Sequence, residues 1–282
     1  MKKPSEEFGS KVKPVWCPGC GNYAVLGAVK RSLAGLEIAP HEVAVVSGIG
    51  CAGRLSHYLN TYSLHGTHGR ALPTALGLKA ARPDLTVLAV GGDGDGLGIG
   101  GGHISHAARK NVDLTYVMVD NAIYGLTKGQ ASPTTPWGRK TKTTPYGVYE
   151  DAVAAIPIFL AYDVSFIARV ALDMEDLVAV LAEAIRHPGL AIVYVVSRCQ
   201  AFPAFDYKEV ASQFAPLPEG HDPTDKLKAL ELAYSVDPVY VGIFYQVTKP
   251  PLAWRLDEEI GRAEARTGGK PASIEDLLRM FA

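Results

Sequence analysis

Cys17 and Cys20 stand in the run Trp16-Cys17-Pro18-Gly19-Cys20, and Cys51 and Cys199 complete the chain's four cysteines. A Cys-x-x-Cys pair with two distant partners reads as a ligand set, because paired disulfides are uncommon in a reducing compartment. Four thiolates suit zinc and an iron–sulfur cluster equally, and spacing does not separate the two. A second constellation is built of oxygen: Gly92-Asp93-Gly94 opens a glycine-rich stretch to Gly102, and Asp120-Asn121 follows further on. Glycines let backbone amides approach an anion, and the start of the following helix favours phosphate. The Asp93 carboxylate, the Asn121 amide oxygen and the Ile123 carbonyl would complete a magnesium site around a diphosphate. Few chemistries need both constellations, since a cluster moves single electrons and an organic cofactor must first release them from a carbon–carbon bond.

The elements that must position these residues are legible from periodicity. An apolar-faced helix is predicted over 22–36, with further helices over 70–81, 104–109, near 151–156 and over 173–185. Short apolar runs at 43–46, 85–90, 114–119, 165–168 and 191–196 read as buried strands. Strands alternating with helices imply an α/β fold with a doubly wound, mostly parallel sheet. Cys51, Asp93, Asn121 and Cys199 each follow closely on one of these strands, and ligands gather at the carboxyl ends of parallel strands. Residues 1–206 are expected to form this domain. Residues 207–282, where the alternation stops, are expected to form an irregular extension on the domain or on a partner subunit, and residues 1–15 a polar arm.

The chain has 282 residues, a formal net charge of −1, 48% hydrophobic and 20% charged residues. That balance gives no basic surface for nucleic acid. No apolar run approaches the roughly 18–20 residues needed to cross a bilayer, and the first residues lack the apolar core of a signal peptide, so a cytoplasmic location is expected.

Taken together, Trp16–Gly21, Gly48-Ile49-Gly50-Cys51, Thr67-His68-Gly69-Arg70-Ala71, Gly92–Gly96 and the stretch from Asp120 to Thr134 resemble the beta subunit of 2-oxoacid:ferredoxin oxidoreductases, over about residues 13–210. The resemblance implies a thiamine diphosphate-binding fold, a [4Fe–4S] cluster on Cys17, Cys20, Cys51 and Cys199, and Mg2+ at Asp93, Asn121 and Ile123. The implied cofactor contacts are Ile49, Gly50, Cys51, His68, Gly69, Gly92, Gly94, Asp95, Tyr124, Gly125, Leu126 and Thr127. It implies an alpha subunit that supplies the glutamate on the pyrimidine side, an (αβ)2 assembly, ferredoxin as acceptor and coenzyme A as cosubstrate. His68 is a candidate partner for the reacting carbonyl. Arg54 is a candidate for the distal carboxylate of 2-oxoglutarate, which a guanidinium grips in bidentate fashion. Lys128 is a second cation, on a loop long enough to cover the site.

Alternatives remain at this stage. A pyruvate or broad 2-oxoacid enzyme shares the same motifs. A non-oxidative thiamine diphosphate enzyme with structural zinc, or a non-catalytic metal-bound scaffold, would also carry these cysteines. A dinucleotide fingerprint is disfavoured, because Gly92-x-Gly94-x-x-Leu97 lacks its third glycine.

Overall fold

The computed structural model describes residues 4–267 and 273–279. Its centre is an eight-stranded sheet in the order β2-β1-β3-β4-β8-β7-β10-β9, built from β1 (Val43–Ser47), β2 (Tyr62–His65), β3 (Thr86–Gly92), β4 (Leu114–Asp120), β7 (Phe166–Val170), β8 (Leu190–Val196), β9 (Phe214–Pro216) and β10 (Val239–Gln246). A two-residue hairpin, β5 (Ile123–Tyr124) with β6 (Gln130–Ala131), stands apart. The six strands from β2 to β7 are parallel to their neighbours, while β10 runs antiparallel to β7.

Helices cover both faces, and the period-two alternation of side chains divides each strand between them. Val43 and Val45 of β1 join Leu88, Val117 and Val193 under α1 (Asn22–Gly35) and α5 (Met174–Arg186). Ala44 and Val46 point the other way, to Leu72 and Ala75 of α2 (Ala71–Ala81), Ile104 and Ala107 of α3 (Gly101–Lys110) and Phe159 of α4 (Ala155–Ala161). Strands buried on both faces must be apolar throughout, which is why they show as continuous runs in the sequence. The Asp173 carboxylate caps α5 by accepting from the amides of Glu175 and Asp176 at 3.0 and 3.2 Å.

Three features depart from the sequence expectation. Strand β2 has no sequence signal, because all four of its residues are exposed on the sheet edge and carry no apolar run. The C-terminal segment is not wholly irregular: α6 (Tyr207–Ser212), β9, α7 (Lys226–Ala233) and β10 return the chain to the sheet, and α8 (Leu252–Thr267) and α9 (Ile274–Arg279) follow. Residues 4–15 do not extend away as an arm. Phe8, 2% exposed, is driven into the core beside Trp16 and Leu33. Residues 1–3 of that expected arm, and 268–272 and 280–282 of the expected extension, lie outside the described residues.

The register aligns the strand ends that matter. Ser47 pairs with Val90, Gly92 with Val119, and Asp120 with Val196. The loops after β1, β3, β4 and β8 therefore leave one edge of the sheet side by side, carrying Cys51, Asp93, Asn121 and Cys199.

Candidate active site

A cavity of about 200 Å3 opens at this edge, lined by Ile49, Gly50, Cys51, Ala52, His68, Gly92, Asp93, Gly94, Asp95, Asn121, Ile123, Tyr124, Gly125, Leu126 and Thr127. Of the residues expected to contact the cofactor diphosphate or its magnesium, only Gly69 lies off this wall. The glycine-rich stretch does not run as an open loop: Gly94–Ile99 winds into a wide π-type turn that leads into α3. Gly94 is required by packing, since a Cβ there would fall 2.2 Å from the Tyr124 ring. The Tyr124 hydroxyl donates to the Gly94 carbonyl at 3.1 Å and pins the hairpin against the turn.

Asp93 and Asp95 are both buried, each 2% exposed, but their surroundings differ. Burial, reinforced by the neighbouring Asp120 carboxylate, pushes Asp93 up to about 7, against the pull of the Ser132 and Thr134 hydroxyls and the Asn121 amide. A buried carboxyl on a cavity wall, short of compensating charge, fits a divalent cation. Asn121 is on the same wall, its Oδ1 accepting from the Ile123 amide at 3.1 Å. Asp95 acts instead as a tie between loops. Its Oδ1 accepts from the Ile49 amide at 2.9 Å, the Gly69 amide at 2.8 Å and His68 Nδ1 at 2.8 Å. Its Oδ2 is buried without a hydrogen-bond partner and lies where a Cβ on Gly48 would sit, 1.9 Å away. Gly69 thus serves the site indirectly, through Asp95.

All four cysteines are free and line a second cavity of about 330 Å3 with Trp16, Arg54, Lys128, Gln200 and Phe202. Burial, then the proximity of Cys20, Cys199 and Cys17, pushes the Cys51 thiol up to about 11, with Arg54 drawing it down. Burial likewise raises Cys20, opposed by Asn22. The Asn22 Nδ2 donates to Cys20 Sγ at 3.4 Å, and the Phe202 amide to Cys199 Sγ at 3.4 Å. Trp16 Nε1 donates to the Cys51 carbonyl at 2.8 Å, which fixes the loop bearing that thiol. Among the described residues, no three His, Cys, Asp or Glu side chains converge on a single-ion position.

The two cavities share a wall made of Cys51, Asn121, Gly125 and Leu126. Of the candidate catalytic residues, His68 faces the first cavity, while Arg54 and Lys128 face the second. Lys128, with a left-handed φ of +84°, also borders a groove that holds Arg139, Lys140 and Lys142. Sequence reading gives no role to Asp120, Ser132, Thr134 or Tyr194, which surround Asp93 from below. Asp120, Ser132 and Thr134 stand in the Asp120–Thr134 motif stretch and Tyr194 in the last apolar run, but nothing local says that they meet Asp93.

Comparison with known proteins identifies the family. Residues 44–195 match the family described as thiamine pyrophosphate enzyme, C-terminal TPP binding domain, and residues 207–259 match the family of C-terminal regions of the pyruvate ferredoxin oxidoreductase beta subunit. The 2-oxoacid:ferredoxin oxidoreductase subunit beta of Saccharolobus solfataricus is 38% identical over 290 residues, covering 94% of this chain and 95% of the relative. The 2-oxoglutarate synthase subunit KorB of Archaeoglobus fulgidus is 40% identical, covering 82% and 84%. A solved 2-oxoglutarate:ferredoxin oxidoreductase from Magnetococcus marinus, with 2-oxoglutarate, coenzyme A and succinyl-CoA bound, superposes with a TM-score of 0.91 at 38% identity, covering 100% of this chain and 96% of that one. With its parallel sheet, its acid-lined cavity and its thiol pocket, the chain belongs to the beta subunits of the 2-oxoacid:ferredoxin oxidoreductases.

Proposed function

We propose that this chain is the diphosphate- and cluster-binding half of a 2-oxoglutarate:ferredoxin oxidoreductase, which converts 2-oxoglutarate and coenzyme A to succinyl-CoA and carbon dioxide, or runs in reverse. When bound, thiamine diphosphate supplies a nucleophilic carbon and an electron sink, Mg2+ neutralises its diphosphate, and a [4Fe–4S] cluster takes electrons one at a time. The observation that carries this reading is the shared wall: Cys51, Asn121, Gly125 and Leu126 border both cavities, so a cofactor held in one would lie beside a cluster held in the other.

The chain's own residues then have separate tasks. Asp93 and Asn121 would hold Mg2+, and the Ile123 carbonyl lies in the same turn. His68, held at Nδ1 by Asp95, leaves Nε2 as its unbonded nitrogen, placed to exchange a proton or hydrogen bond with the substrate carbonyl. Arg54, on the thiol-cavity side, has a buried Nε without a partner, and would meet the second carboxylate of 2-oxoglutarate at the wall that the two cavities share. Four free thiols arranged around one cavity of about 330 Å3 suit a cubane that bonds to the protein through cysteine sulfur. The diphosphate cavity is lined by aspartates, and a glutamate for the pyrimidine side would come from an alpha subunit across an (αβ)2 interface. The cationic groove of Lys128, Arg139, Lys140 and Lys142 beside the thiol pocket suits an acidic electron carrier such as ferredoxin. Among the described residues no helix is long and apolar enough to cross a membrane.

The test is anaerobic co-expression with the alpha chain, followed by coenzyme A-dependent dye reduction with 2-oxoglutarate or pyruvate. A brown complex, with iron and acid-labile sulfide in equal amounts and a preference for 2-oxoglutarate, is expected. A colourless zinc protein, or a preference for pyruvate, overturns the corresponding part of the reading.

A further inference from the structure

Beneath Asp93 lies a buried polar network that the proposed chemistry does not by itself explain. Thr134 Oγ1 is 2.8 Å from Asp93 Oδ2 and 2.7 Å from Asp120 Oδ1. Asp120 Oδ1 also accepts from the Ala122 amide at 2.8 Å, and Asp120 Oδ2 accepts from the Tyr194 hydroxyl. Asp120 does not line the diphosphate cavity; the Ala122 amide and the Tyr194 hydroxyl donate to it, and it shares the single Thr134 hydroxyl proton with Asp93. Asp120 is 8% exposed and Thr134 8%. Burying such groups is costly unless each is bonded, so the arrangement is held by what it positions.

The supports of Thr134 are themselves fixed. The Thr135 hydroxyl donates to the Ala122 carbonyl at 2.6 Å, the Ser132 amide donates to Thr135 Oγ1 at 2.7 Å, and the Val153 amide donates to the Pro133 carbonyl at 2.9 Å. This rivets the Ser132–Thr135 turn to the Asp120–Ala122 turn. Tyr194, on the central strand β8, is buried and packs edge-on against Phe159 with ring centroids 6.2 Å apart, which restrains its phenol. The chain Tyr194, Asp120, Thr134, Asp93 therefore runs from the rigid core to the cavity wall.

We infer that Thr134, Asp120 and Tyr194 are positioning residues that hold the Asp93 carboxylate in its cation-binding orientation. This inference rests on the magnesium role proposed for Asp93. Groups that orient a metal ligand in this way are each worth about 10- to 100-fold in metal affinity.

The test is Mn2+ binding, followed by electron paramagnetic resonance, to the alpha–beta complex loaded with thiamine diphosphate, with thermal unfolding measured in parallel. Thr134→Val should weaken Mn2+ binding about 10- to 100-fold, while Thr134→Ser, which restores the hydroxyl, should bind within a few-fold of wild type. Tyr194→Phe should weaken it several-fold, and decides the matter if Thr134→Val does not fold. Unchanged Mn2+ affinity in a folded Thr134→Val or Tyr194→Phe complex overturns the inference, provided Asp93→Ala abolishes binding. If Asp93→Ala also binds Mn2+ normally, the cation site itself is misassigned.

Discussion

His68 Nδ1 lies 2.8 Å from Asp95 Oδ1, and the same oxygen accepts the amides of Ile49 and Gly69. One carboxylate therefore gathers the loop after β1, the loop after β2 and the turn after β3 around the diphosphate cavity. It also fixes the imidazole tautomer, because a carboxylate only accepts and Nδ1 must carry the proton.

Asp95→Asn tests this arrangement with little loss of packing. The amide oxygen can still accept from Ile49 and Gly69, but the charge-assisted hold on His68 is gone. We expect kcat to fall about 100-fold, the lower end of the range for a lost proton-transfer group, with KM and thermal stability nearly unchanged. His68→Ala should give a loss of similar size, and the double variant should be no worse than the worse single one. Additive losses in kcat would show that the two residues act separately.

Arg54 tests substrate choice. Its side chain lines the thiol cavity, and its Nε is buried with no protein partner; a substrate carboxylate would meet it at the wall that the two cavities share. A hydrogen bond to a charged group contributes about 2 kcal/mol, or about thirty-fold in affinity. Arg54→Ile should therefore raise KM for 2-oxoglutarate by about that factor and leave KM for pyruvate nearly unchanged. Equal effects on both substrates would remove Arg54 from this role.

The sequence reveals the parts of this molecule whose signals are local. Asp93 and Asn121 can be paired because each ends a continuous apolar run, and parallel strands bring such ends to one edge. Cys199 can be joined to Cys51 for the same reason. What stays hidden depends on distance in the chain or on exposure. Thr134 meets Asp93 across 41 residues and Tyr194 meets Asp120 across 74, pairings that no periodicity encodes. Tyr62–His65 is an exposed edge with no apolar pattern, and β10 pairs with β7 only after the intervening extension has folded back. The glycine run reads as a cradle for phosphate. The position of Tyr124 shows that Gly94 is also demanded by an aromatic ring.

His187 gives the fold a pH dependence with a definite sign. Its ring is 5% exposed, and its Nε2 is 2.9 Å from Ser165 Oγ, which itself donates to Asn111 Oδ1 at 2.7 Å. The imidazole is thus held as a neutral donor. Burial lowers its pKa below the ordinary 6.5, with Asp113 opposing weakly. The unfolded chain takes up the proton first as pH falls, so stability is lost below about pH 6.5 and is full above it. Thermal unfolding from pH 8 to 5 should show this decline, and His187→Gln should flatten it. An unchanged slope in the variant would place the acid sensitivity elsewhere.

Gly125 tests whether the wall between the two cavities is built around a cluster. A Cβ at this position would stand 3.1 Å from Cys199 Sγ and 3.9 Å from Cys51 Sγ, closer to the first sulfur than van der Waals contact allows. The wall cannot retreat freely, because the Gly125 carbonyl accepts from the Lys128 amide at 3.1 Å and the adjacent Tyr124 carbonyl from the Gly129 amide at 3.0 Å. Overpacking of this kind costs about 1–3 kcal/mol. Gly125→Ala should therefore lose iron to a chelator about tenfold or more faster than wild type, and, because the wall is shared, should also weaken thiamine diphosphate binding. Gly77→Ala, in α2 with open space around the added methyl, is the control and should change neither. Full iron retention in Gly125→Ala would mean that the thiols do not close around a group pressed against this wall.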